Sequence, residues 1–223
     1  MAMNTEKARF NMIEQQIRPW EVLDPVVLEL LAAVKREDFV PEAYQALAFA
    51  DLEIPLSVPA RIGQTMLAPK MEARMLQELG LKAKDIVLEI GTGSGYMAAL
   101  MAAKAEYVYS VEIDPALVQM ARTNLEKAAV ANVLVEQGDG AQGWAAYAPY
   151  DAIVLSASTP VLPDMLLCQL KVGGRLVAVV GDAPAMQLQL VTRTEENAFN
   201  TINVLETELV PLVNAARHNR FVF

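Results

Sequence analysis

The sequence holds one cysteine, Cys168, and one histidine, His218. A lone cysteine excludes an intrachain disulfide and any cysteine-built metal site. With a single imidazole, zinc binding and histidine-based acid–base catalysis are not expected either. Positive charge is scarce too. Against 27 Asp and Glu stand 18 Lys and Arg, a net charge of −9 and the wrong sign for gripping a phosphate backbone. No apolar run approaches the ~20 residues of a membrane span, and the first ten residues lack the apolar core of a secretion signal. The expectation is a cytoplasmic protein with no nucleic-acid partner, no membrane span and no metal. What the chain does have is apolar bulk, 54% of its 223 residues, enough for one large domain or one domain with a small extension.

Residues 4–47 carry helical signals and no strand pattern. Ala8, Met12, Ile13 and Ile17 recur at helical spacing until Pro19, and Asp24-Pro25 reads as an N-cap with a first-turn proline. A third short helix opens at Pro41. Prolines 55, 59 and 69 and Gly63 rule out a long regular element over 48–70, which makes that stretch a functional loop. A helix resumes over 70–81. From Ile86 onward strands and helices alternate: strands over 86–90, 107–113, 132–137, 150–156 and 175–180, with helices between, one of them a short one over 163–170. The segments 188–193 and 201–209 then form an antiparallel pair. The pattern predicts an α/β fold, a doubly wound, mostly parallel seven-stranded sheet with right-handed crossovers. Residues 1–80 form a helical cap with an active-site loop, and 81–223 a nucleotide-type domain.

The centre of the pattern is Ile86-Val-Leu-Glu-Ile-Gly-Thr-Gly-Ser-Gly-Tyr96. An apolar strand runs into three alternate glycines, and strong helix formers follow. Such glycines turn the backbone tightly and leave room for a ligand. Their spacing, G-x-G-x-G, is not the G-x-G-x-x-G of a dinucleotide pyrophosphate site. Acids stand at three strand ends: Glu89 before the first glycine, Glu112 after strand two, and Asp139 in Gly138-Asp-Gly140. Carboxylates there can accept from ribose hydroxyls and an adenine amine, suit a cationic sulfonium and repel a pyrophosphate. S-adenosylmethionine is the cofactor this pattern favours over NAD or FAD.

The chain resembles the protein-L-isoaspartate O-methyltransferase family, class I methyltransferases of Rossmann-like fold. The resemblance rests on Val34-Lys-Arg-Glu-Asp-Phe-Val-Pro-Glu-Ala43, Gly63-Gln-Thr65, the glycine motif, Gly138-Asp-Gly140 with Gly143-Trp144, Pro149-Tyr-Asp-Ala-Ile153 and Val210-Pro-Leu212. It implies methyl transfer from S-adenosylmethionine to a carboxylate of a protein, peptide or small-molecule acceptor. It also implies that Glu112 and Ile113 lie at the ribose, Asp139 and Gly140 by the adenine, and Glu89, Gly91, Thr92, Gly93, Ser94 and Gly95 at the methionine part. The loop of Gln64, Thr65, Met66 and Leu67 would close over the cofactor beside the acceptor.

That loop departs from the family pattern. Where the family has its active-site serine this chain has Leu67, in Gly63-Gln-Thr-Met-Leu-Ala-Pro69. A leucine offers an acceptor carboxylate no hydrogen bond. Two readings stand beside each other: a methyltransferase with a slowed reaction or an altered acceptor, and a protein that binds S-adenosylmethionine or S-adenosylhomocysteine without methylating isoaspartate. The polar groups left for an acceptor are Thr65, Gln64, Arg61, Ser156, Ser158 and Thr159, with Ser158 and Thr159 equally readable as helix caps before Pro160. The stretch Arg217-His-Asn-Arg-Phe-Val-Phe223 packs on the domain or meets a partner.

Overall fold

The computed structural model describes residues 4–218. Helix α1 (Thr5–Met12) is capped by the Asn4 side chain, which accepts from the Lys7 amide at 3.0 Å. Pro19 does not break the helical run where expected. The chain continues through a π turn, Ile13–Ile17, and a 3-10 turn, Arg18–Trp20, and stops at Glu21 with φ +59°. In the first turn of a helical segment a proline lacks only an N–H that would be unpaired there anyway. Asp24 caps α2 (Pro25–Ala33) as its sequence predicts, accepting from the Val26 amide.

The loop over 48–70 has more order than expected. Its ends pair as two short antiparallel strands, β1 (Ile54–Pro55) and β2 (Thr65–Met66), joining Ile54 to Met66. Helix α3 (Pro69–Leu79) follows, one face buried through Met71, Met75, Leu76 and Leu79. Then come β3 (Ile86–Ile90), α4 (Tyr96–Ala102), β4 (Tyr107–Glu112), α5 (Pro115–Lys127), β5 (Val133–Gln137), β6 (Tyr150–Thr159), α6 (Asp164–Leu167), β7 (Leu170–Asp182), β8 (Ala185–Glu195) and β9 (Ala198–Glu206).

These last seven strands form one sheet in the order β5-β4-β3-β6-β7-β8-β9. Pairs from β5 to β7 are parallel, and β8 and β9 are antiparallel, as the alternation predicts. Strand order reverses between β3 and β6, and open α/β sheets bind ligands beyond the strand ends at such a point. The helix expected over 163–170 shortens to α6 because β7 already begins at Leu170, taking Gly173 and Gly174 into the strand across a register shift.

Burial on both faces explains the apolar strands. Leu88 and Ile90 point to one side of the sheet, toward Ile153, Leu155 and Leu176; Val87 points to the other, toward α3 and α4. One continuous apolar core takes in Met12, Leu31 and Leu79 from the helical region together with Val87, Val154 and Val177 from the sheet. Among the described residues no helix is long and apolar enough to cross a membrane, and no cluster of acids, histidine and cysteine could hold a metal ion. Residues 219–223 of the basic, aromatic C-terminal stretch lie outside the described residues. Before them, exposed His218 stands 3.7 Å from Asp182.

Candidate active site

Two adjoining cavities open at the carboxyl ends of β3, β4 and β6. The larger, about 240 Å³, runs under the loop from Leu56 to Thr65 and over Gly91, Gly93 and the ends of β4 and β5. The smaller, about 20 Å³, lies between β2, α3 and the glycine turn. Thr65, Gly91, Gly93 and Ser156 line both, so these four residues form the passage between them.

The glycine turn shapes the larger cavity. Gly91, Gly93 and Gly95 all take positive φ (91°, 53° and 85°), a conformation that side chains rarely adopt. The Gly93 amide donates to Glu112 Oε2 at 2.9 Å, and the Asp114 amide donates to Glu112 Oε1 at 3.0 Å. Glu112 therefore ties the turn to the end of β4 while its oxygens face the cavity. Asp139 is held in the same way, by the Ala141 amide (3.0 Å) and Asn214 Nδ2 (2.8 Å). Ile113, Gly140 and Gln64 also line this cavity, as the sequence reading expects. Three carboxylates (Glu112, Asp114 and Asp139), glycine backbone and apolar walls from Leu117 and Leu212 suit a neutral nucleoside with a cationic tail; a pyrophosphate would meet like charge.

Four placements differ from the expected ring around one ligand. Glu89 does not reach the larger cavity. Strand alternation puts it on the Val87 face, where it is fully buried, lines the small cavity, and accepts from Ser110 Oγ at 2.5 Å and Ser156 Oγ at 3.1 Å. Burial pushes its carboxyl up to about 8, opposed by those two hydroxyls and reinforced by Glu112 and Glu72. Thr92 and Ser94 likewise face the small cavity, with Met66 and Leu67. Gly95 lines neither. A Cβ there would lie 3.4 Å from Ala121 and 3.3 Å from Leu125, so this glycine serves the close packing of the α4 start on α5. Ser158 and Thr159 cap no helix. They end β6, buried, and their hydroxyls donate to the carbonyls of Leu209 and Val161.

The loop over the larger cavity is latched. Gln64 Nε2 donates to Asp114 Oδ2 at 2.7 Å, and exposed Arg61 stands 3.5 Å from the same oxygen. Asp114 Oδ1 meanwhile accepts from Ala116 and Leu117 at the start of α5. These amides first, and Gln64 and Arg61 with them, hold the Asp114 carboxyl below the ordinary range. Asp114-Pro115 repeats the Asp24-Pro25 cap signature, and that signal would have found Asp114 in the sequence.

The small cavity is backed by a residue the sequence reading missed. Arg36 is fully buried; it pairs with Glu72 and donates to the carbonyls of Ala48 (3.0 Å) and Leu67 (2.6 Å), with its guanidinium 5.2 Å from the Tyr96 ring centre. Burial pushes Glu72 up to about 7 against the opposing pull of Arg36. Thr65 Oγ1 donates outward to Glu53 Oε2 at 2.8 Å. Leu67 itself is buried, its side chain in the cavity wall.

Comparison with known proteins bears on the fold and the family. The family model for protein-L-isoaspartate(D-aspartate) O-methyltransferase matches residues 7–217. Protein-L-isoaspartate O-methyltransferase 1 of Geotalea uraniireducens is 43% identical over 196 residues, 87% of this chain and 88% of the relative. A solved protein-L-isoaspartate O-methyltransferase superposes with TM-score 0.78 at 25% identity, covering 94% of this chain and 66% of that one. A Plasmodium falciparum chain of that description, solved with S-adenosyl-L-homocysteine, shares the fold with TM-score 0.77 at 21% identity, over 95% and 99% of the two chains. The chain belongs to the protein-L-isoaspartate(D-aspartate) O-methyltransferase family and is an S-adenosylmethionine-dependent methyltransferase.

Proposed function

We propose that the protein methylates the free carboxylate of isoaspartyl residues in proteins or peptides, with S-adenosylmethionine in the larger cavity and the acceptor entering from the small one. The observation that carries this reading is the shared wall. Thr65, Gly91, Gly93 and Ser156 border both cavities, so a donor on one side and an acceptor on the other meet between them. Family membership supports the choice of acceptor.

On this reading Glu112 accepts from the ribose hydroxyls beside Ile113, and Asp139 and Gly140 flank the adenine. Gly91 and Gly93 hold the methionine part where the two cavities meet, short of Thr92, Ser94 and Glu89, and Gln64, Thr65, Met66 and Leu67 close the loop. The bound cofactor supplies a methyl group activated on a sulfonium. A carboxylate acceptor is already ionised at neutral pH and needs no base, so the chain's contribution is proximity, orientation and exclusion of water. The Gln64–Asp114 latch keeps the loop over the passage.

The test pairs two synthetic peptides that differ only in an isoaspartyl or a normal aspartyl linkage. S-adenosylhomocysteine should form with the isoaspartyl peptide and not with its control. Equal rates with both, or none with either, would refute the assignment.

A further inference from the structure

The loop position that Leu67 occupies has no hydroxyl to hold an acceptor, yet the passage between the cavities is not without one. Most other hydroxyls near it are committed elsewhere, and Ser94, which accepts from the Tyr96 amide at 3.4 Å, lines only the small cavity. Thr65 points outward to Glu53, Thr92 pairs with Ser110 at 2.6 Å, and Ser158 and Thr159 donate within the β6 end. Ser156 is different. It is half-buried, lines both cavities, and sits where β6 leaves its register: Val154 pairs with Val177 and Ser158 with Val179, so β6 holds two extra residues there. Bulges of this kind re-aim side chains beside functional sites. Here the bulge brings Ser156 Oγ within 3.1 Å of Glu89 Oε1.

We propose that Ser156, oriented by Glu89, is the hydrogen-bond donor to the acceptor carboxylate in this chain and does the work its loop has lost at Leu67. This rests on the isoaspartyl reading above. The hydrogen-bond pattern closes when Glu89 carries a proton. Ser156 Oγ donates to Glu89 Oε1 while that carboxylate is ionised; with a proton on Oε1 the same 3.1 Å contact reverses, Ser110 still donates to Glu89 Oε2, and the Ser156 proton is free for the acceptor. Full burial and the charges of Glu112 on β4 and Glu72 on α3 favour that protonated form at neutral pH. Ser110, Ser156 and Thr92 are the polar neighbours, and Arg36 is engaged by Glu72. No bond to Ser156 is made or broken; the group binds and orients.

The experiment measures two quantities: initial rates of S-adenosylhomocysteine formation, and equilibrium binding of an isoaspartyl peptide to the chain saturated with S-adenosylhomocysteine. Ser156→Ala should lower kcat/KM roughly 10–100-fold, the loss of one donor to a charged group, and weaken peptide binding. S-adenosylhomocysteine affinity should stay within about twofold. Ser156→Thr should retain activity, and Leu67→Ser should restore part of it in the Ser156→Ala background, because the missing hydroxyl returns from the opposite wall. Wild-type kcat/KM should fall as pH rises through about 8, and Glu89→Gln, which keeps a donor, should remove that fall. A Ser156→Ala chain as active and as tightly peptide-bound as an active wild type would overturn the assignment of Ser156 alone. A wild type that neither methylates nor binds the peptide would overturn the isoaspartyl reading and this one with it.

Discussion

The two sides of the passage are built in opposite ways. The side proposed for the cofactor is assembled from strand ends and a turn, each element contributing residues adjacent in sequence: Gly91 to Gly93 after β3, Glu112 and Ile113 at β4, Asp139 and Gly140 after β5. Its carboxylates accept from backbone amides at the strand ends, with the Asn214 side chain added at Asp139, and their oxygens face a cavity open to water. The acceptor side is assembled from distant segments around buried charge. Arg36 links Ala48, Leu67 and Glu72, and Glu89 links β3 to Ser110 and Ser156. One side tolerates relaxation because water can replace a lost partner. The other does not, since a buried charge without its partner is costly.

That contrast sets the order of mutational effects. Arg36→Met leaves Glu72 unpaired in the core and should destabilise the fold by about 3–5 kcal/mol, read as a lower urea midpoint. Adding Glu72→Gln should recover a large part of the loss; no recovery would show that the pair is not the cause. Glu112→Ala removes two backbone acceptors and the expected ribose partner at once. It should weaken S-adenosylhomocysteine binding by about 2–3 kcal/mol, roughly 30–150-fold, while the urea midpoint moves much less.

Between these lies a pH effect confined to the acceptor side. The Glu89 carboxyl titrates near 8 when folded and near 4.5 when unfolded, so between those values the folded state holds the extra proton. Stability is therefore full below about 4.5 and declines as pH rises toward 8, with no further loss from this group above it. The melting temperature should fall by about 3–6 °C from pH 6 to pH 8.5, and Glu89→Gln should flatten that slope. The smallest effect belongs to the latch. Gln64→Ala removes one hydrogen bond to Asp114, about 1 kcal/mol, and should speed S-adenosylhomocysteine release roughly fivefold, measured by stopped-flow, without changing stability.

The same contrast explains what could be read from the sequence. The alternation of strands and helices, the antiparallel pair at the end and the lining of the larger cavity by Gly91, Gly93, Glu112 and Asp139 were legible because glycines, caps and strand-end acids act through their immediate neighbours. Glu89 was legible as an acid but not in its role. Placing it requires knowing which face of β3 meets α3. Arg36 and Glu72 are 36 residues apart, and Ser156 reaches Glu89 across 67. No local pattern announces either pair. Ser156 could be named as one of several hydroxyls after strand four, but only the β6 bulge separates it from Ser158 and Thr159. Asn214 reaches Asp139 from 75 residues away and carried no signal at all.

The claim on which the comparison depends is that the glycine turn, Glu112 and Asp139 form a S-adenosylmethionine site and not a dinucleotide site. Calorimetric titration of the purified chain with S-adenosylhomocysteine and, separately, with NAD tests it most directly. The account predicts saturable binding of one S-adenosylhomocysteine per chain, greatly weakened by Glu112→Ala, and no binding of NAD. Absence of S-adenosylhomocysteine binding, or NAD binding that competes with it, would contradict the account.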